Sequence, residues 1–227
     1  MLVPAVPAVP AGETRFFADL ARDASVASAS GDPRSGTDAR AEIRAVLSQW
    51  SDPEMEQFLA LAVGLESEHL RQIRDLRGYA VRLAELALRD VWFPGDSALV
   101  EAAPLRLTRT FDASGRADRP QPFVSQSTVG FYAVLPEDVG ERDEVLVRWV
   151  RADDPELLRF RTHPIGRTDA GETHLWIEPP VRLTPGEYRL EVYSLDEVPE
   201  LLATHAYPVV PDVAVTRGGH SKMWKTP

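Results

Sequence analysis

Two stretches, Glu144-Val145-Leu146-Val147-Arg148-Trp149-Val150 and Gly186-Glu187-Tyr188-Arg189-Leu190-Glu191-Val192-Tyr193, alternate large apolar with charged side chains at a period of two. Successive side chains of a strand point to opposite faces, so the pattern specifies strands with one apolar and one polar face. A helix would repeat its faces every 3.6 residues instead. The expectation is two paired central strands, with Trp149, Tyr188, Leu190 and Val192 in a core and the intervening charges in water.

Tyr188 follows a Pro185-Gly186 turn, where a tyrosine can bury its ring while its hydroxyl returns to a nearby backbone group. Trp149 on the earlier strand supplies a large ring to fill the space between two sheets. On these residues, the segment from about Leu105 to Val210 resembles the immunoglobulin-like or fibronectin-type β-sandwich superfamily. The resemblance implies a fold and no activity. Seven strands are expected, over Leu105 to Phe111, Val129 to Leu135, Val145 to Arg151, Leu157 to Thr162, Thr173 to Glu178, Tyr188 to Ser194 and Leu201 to Val210. Pro, Gly and Asp turns separate them, a spacing that favours an antiparallel sandwich over a parallel sheet.

Ahead of Pro94-Gly95 the periodicity is helical. Ile43, Val46, Leu47 and Trp50 fall at i, i+3, i+4 and i+7, and Ser51-Asp52-Pro53-Glu54 combines a capping residue, an early proline and an acidic first turn. A stripe of Met55, Phe58, Leu59, Ala62, Leu65, His69, Ile73 and Leu76 follows, then a second of Tyr79, Ala80, Leu83, Ala84, Ala87 and Val91. Gly78 between them is either the bend of one long helix or the corner of a helical hairpin. The chain therefore reads as α+β in two parts: a Pro-rich extended arm at 1–13, a helical domain at 14–94, a seven-stranded antiparallel sandwich domain at 97–212, and a basic tail at 213–227. Thr14 would cap a short helix carrying Phe16, Phe17 and Leu20.

The 227 residues carry 35 acidic and 25 basic side chains, a formal net charge of -10. A surface of that sign repels nucleic acid and anionic membranes. With no cysteine, disulfides and thiolate chemistry are excluded. No apolar run has the length of a bilayer span, and the Val-Pro-Ala start has neither the basic flank nor the helical core of a signal peptide. A cytoplasmic location is expected, with the cell envelope as the alternative if a targeting segment once preceded the start.

The chemistry-bearing residues form no recognisable catalytic motif: no nucleophile elbow, phosphate loop or His-Glu-x-x-His helix is present. His163, His174 and His205 lack the spacing of a zinc site. The acidic loops Glu137, Asp138, Glu141, Asp143 and Asp153, Asp154, Glu156 lack the spacing of a calcium loop. No metal or cofactor is expected. Trp176, Tyr193 and Tyr207 are candidates for a sugar-stacking platform, weighed against ordinary packing. In the tail, Lys222, Met223, Trp224 and Lys225 follow a Gly218-Gly219 hinge, and a basic peptide with one aromatic anchor suits capture by a protein partner. The Met55 to Leu76 face offers a second route, self-association of the helices. The expected function is a non-enzymatic interaction or adaptor protein; the alternative is an accessory module binding carbohydrate or another envelope polymer, with a hydrolase of hidden carboxylates third.

Overall fold

A computed structural model describes residues 36–92, 102–117, 123–124, 130–139, 141–154 and 156–211. The arm at 1–13, the expected helix around Phe16 and Phe17, the Pro94 boundary and the tail with Lys222, Met223, Trp224 and Lys225 lie outside them.

Among the described residues the first helix is α1 (Gly36–Ser48), which buries Ile43 and Leu47 as the 3.6-residue spacing requires. Next comes α2 (Asp52–Phe58), whose first turn is closed by Glu54: its carboxylate accepts from the Ser51 N–H and from the Ser51 hydroxyl, both at 2.7 Å. A π-helical turn, Leu59–Val63, continues α2 and ends at Gly64, whose φ of 82° belongs to the left-handed region. The short α3 (Ser67–Gln72) leads to α4 (Leu76–Trp92). Gly78 is neither a bend nor a hairpin corner. It sits in the first turn of α4, where its N–H donates to Asp75 Oδ1 at 2.8 Å, and the breaks in the stripe fall at Gly64 and at Ile73 to Asp75. Arg77 ties the layer together by donating to Leu47 O in the last turn of α1 at 2.6 Å and to Trp50 O just beyond it at 2.8 Å.

Strands occupy each of the seven expected segments: β2 (Arg106–Thr108), β4 (Phe131–Val134), β5 (Glu144–Arg151), β6 (Glu156–Pro164), β8 (Thr173–Ile177), β9 (Gly186–Tyr193) and β10 (Leu201–Val210). Three two-residue strands are added, β1 (Ala103–Pro104), β3 (Phe123–Val124) and β7 (Gly166–Arg167). The large sheet runs β1-β10-β9-β5-β6 with β3 joined to β10, and the small sheet runs β2-β4-β8-β7. Because β1 and β3 lie parallel to β10, the large sheet is mixed rather than wholly antiparallel.

Between the sheets lies one core, containing Trp149, Tyr188, Leu190 and Val192 with Phe131, Leu175 and Ile177. Trp149 pairs with Leu190 across β5 and β9, and its ring meets Phe131 edge-on at 5.5 Å. The Tyr188 hydroxyl donates to Thr184 O at 2.8 Å, closing the turn before β9.

A second core forms on the other face of the large sheet, where Leu146, Phe160, Tyr193 and Leu195 pack with Met55, Phe58, Leu59, Tyr79, Leu83 and Ala87 of the helices. The face expected to be wet is therefore covered. Its charged residues are not displaced into water; they pair. Arg148, fully buried, donates to Glu191 Oε2 at 2.9 Å and to Asp90 of α4. Arg89 of α4 reaches Glu191 Oε1 at 2.6 Å, Arg189 reaches Asp90 Oδ1 at 2.7 Å, and the Tyr193 hydroxyl donates to Glu191 Oε2 at 2.9 Å. Burial alone would raise the Glu191 carboxyl, but the guanidiniums of Arg148, Arg89 and Arg189 outweigh it and hold the group below the ordinary carboxylate range. Asp90 follows the same balance, with Arg148 and Arg189 overcoming its burial.

Candidate functional site: the outer face of the small sheet

The inner face of the small sheet is apolar: Leu107, Phe131, Ala133, Leu175 and Ile177 all join the sandwich core. Alternation then sends Tyr132, His174 and Trp176 to the opposite face. The register places Tyr132 opposite Trp176, and Val134 opposite His174, on neighbouring β4 and β8. Thr108 and Arg106 of β2 extend the same two rows. β2 stops at Thr108, and after it the chain carries the Phe111 ring over the outer face, against Tyr132 and His174.

Four rings meet there. Tyr132 stands 4.6 Å from Trp176, 4.8 Å from Phe111 and 5.1 Å from His174, with interplanar angles between 54° and 82°. Phe111 and His174 are themselves 5.1 Å apart. All four are half-buried, so each keeps solvent-facing surface. Two glycines make the arrangement possible. A Cβ on Gly130 would run into the indole of Trp176 and stand 2.9 Å from Ile177 O, while a Cβ on Gly166 would stand 2.7 Å from His174 Nε2. The rings thus lie close against backbone that no other residue type would leave open.

The polar groups at the border are already oriented. Trp176 Nε1 donates to Glu178 at 3.1 Å, which fixes the tilt of the indole. Arg106 pairs with Glu172 at 2.9 Å, and the second oxygen of Glu172 accepts from Ala117 N at 2.7 Å. Burial lowers the pKa of His174 below its ordinary value, against the opposing pull of the Glu172 carbonyl and charge, so the ring is neutral at pH 7. Beyond Arg106 a cleft of about 490 Å³ opens, lined in part by Val134, Glu137, Glu141, Arg167 and Glu172. The face can stack flat apolar groups and offer hydrogen bonds at its rim.

The other sequence candidates do not converge. Trp176 is on this face, Tyr193 faces the helices and Tyr207 is in the sandwich core, so these three make no common platform. His163 sits on β6 beside Arg159, 3.2 Å away, and His205 on β10 near Tyr207, each far along the chain and on other strands from His174. Among the described residues no three His, Asp or Glu side chains gather in a way that could hold a metal ion, and no helix is long and apolar enough to cross a membrane. In the acidic loops, Asp153 is engaged by Arg151 at 2.9 Å. The Met55 to Leu65 stripe faces inward, onto the neighbouring helices and the large sheet. Tyr132 and Phe111 escaped sequence reasoning, although the outward register of Tyr132 follows from the same alternation that buries Phe131 and Ala133. Compared with known protein families and with curated proteins, the sequence matches no family model and no curated relative.

Proposed function

We propose that this chain is a non-enzymatic binding module, an immunoglobulin-like sandwich backed by a helical layer, whose recognition surface is the outer face of the small sheet. The immunoglobulin-like reading is supported by strand order. The small sheet β2-β4-β8-β7 corresponds to the first, second, fifth and fourth strands of that fold, and β10-β9-β5-β6 to its opposing sheet. The tyrosine at the start of β9 and the buried tryptophan on β5 occupy the positions expected of that superfamily.

The observation that carries the binding reading is the row of four half-exposed rings held over Gly130 and Gly166. Aromatic rings that keep solvent contact on a rigid sheet are anchors for a ligand, since the scaffold bears the cost of ordering them before anything binds. Both carboxylates at the row's border are committed as acceptors, to Trp176 and to Arg106, which favours binding over acid-base chemistry. The test is recovery of bound material from the cells that make this protein, using the intact chain and a Tyr132→Ala/Trp176→Ala form of equal melting temperature. The double variant is expected to lose what the intact chain retains. Equal recovery by both would remove this face as the binding surface.

A further inference from the structure

We infer that the occupant of the aromatic face is a neutral saccharide chain, stacked on Trp176 and Tyr132. The inference rests on the binding-face reading above and adds the ligand's chemistry to it. Trp176 has a single donor, and that donor is spent within the molecule on Glu178 at 3.1 Å. What the indole offers a ligand is its ring surface alone. A group recognised in that way must present a flat, C–H-bearing face, as a pyranose does, with its hydroxyls directed sideways. Sideways of the rings are the groups that suit hydroxyls, the Arg106 guanidinium and the carboxylate of Glu172.

Charge narrows the class further. The chain carries a formal charge of -10, and in the cleft beside the rings Glu137, Glu141 and Glu172 outnumber Arg106 and Arg167. A polyanionic sugar or a nucleic acid would be repelled, which leaves an uncharged chain. A folded protein partner is the poorer fit. Stable protein interfaces cover roughly 800 Å² on each side around a core depleted of charge, whereas these rings form a narrow strip closed in by charged side chains. Glu178 is a positioning residue in this scheme, since it holds the indole rather than touching the sugar.

The experiment is electrophoresis of the intact chain through native gels containing soluble neutral polysaccharides: a β-glucan, a starch-type α-glucan, a xylan and a mannan. At least one is expected to retard the chain. Trp176→Ala should weaken that retardation by roughly tenfold or more, as for loss of one stacking contact, while its melting temperature stays that of the parent. Glu178→Ala should weaken it less and shift indole emission to the red, and Glu178→Gln, which keeps an acceptor, should restore both. No retardation by any of the four polymers overturns the inference, as does equal retardation of Trp176→Ala. If no polymer binds but Trp176 is still needed to retain a protein, or to form a dimer in sedimentation, the saccharide falls and the binding face stands. If nothing depends on Trp176, both fall.

Discussion

Removing Glu191 should destabilise this protein more than removing Arg148, although the two form one ion pair. The buried network under α4 holds three guanidiniums, Arg89, Arg148 and Arg189, against two carboxylates, Asp90 and Glu191. Glu191→Leu leaves three cations facing Asp90 alone, with Arg148 at 0% exposure and unable to reach water. Breaking a buried pair in that way costs about 3 to 5 kcal/mol. Arg148→Met leaves two cations and two anions. Glu191 then keeps Arg89 at 2.6 Å, Arg189 at 2.8 Å and the Tyr193 hydroxyl, and Asp90 keeps Arg189 at 2.7 Å, so the cost should fall to about 1 to 3 kcal/mol. Urea unfolding at low ionic strength, followed by circular dichroism, reads both. With a slope of about 2 to 3 kcal/mol per molar, a loss of about 4 kcal/mol lowers the midpoint by between about 1.3 and 2 M. The same network makes a pH statement. Because the folded-state pKa values of Glu191 and Asp90 are depressed, their stabilisation is present above the ordinary carboxylate range and is lost as pH falls through the lowered values. Glu191→Leu should therefore lose stability in acid more gently than the parent. Arg148→Met proving as costly as Glu191→Leu, or neither moving the midpoint, would refute the reasoning.

Trp149→Ala should cost about 3 to 5 kcal/mol in the same assay, since the ring is wholly buried against Phe131, and an unchanged midpoint would exclude its place in the core. Tyr188→Phe removes only the hydroxyl bonded to Thr184 and should cost about 1 to 3 kcal/mol. His163 has its pKa pushed down to about 4, by burial first and by Arg159 and Arg161 after it. The unfolded chain therefore takes up that proton before the folded one, and stability drains as pH falls from about 6.5 towards 4; His163→Gln should flatten the pH profile across that window. A fragment of residues 97–212 would expose Leu146, Phe160, Tyr193 and the Arg148-Glu191 pair, so it should be less soluble than the whole chain and melt lower in calorimetry.

Local chemistry was sufficient for the elements themselves. The period of two in β5 and β9, the Pro185-Gly186 turn before Tyr188 and the Ser51 to Glu54 helix start each depend on residues a few positions apart, and each is legible without the fold. So is the division of side chains into two faces. What covers a face is another matter, because it is decided by partners distant in the chain. The alternate charges of β5 and β9 read as solvent-facing, yet Arg148 meets Asp90, 58 residues away, under a helical layer whose own apolar stripe needed a surface to cover. Gly78 and Gly64 show the same limit at shorter range: Gly78 stays within a helix, whereas Gly64, inside the first stripe, takes a φ of 82° at a place where a Cβ would crowd Arg161 and Thr162 of β6. The aromatic face is the clearest case. Trp176 was visible as a candidate, but it meets Tyr132 by register across two strands, and Tyr132 in turn meets Phe111 by the path of a loop. Sequence periodicity orders side chains along one strand, whereas a binding surface is assembled across several, by the pairing that only the tertiary structure sets.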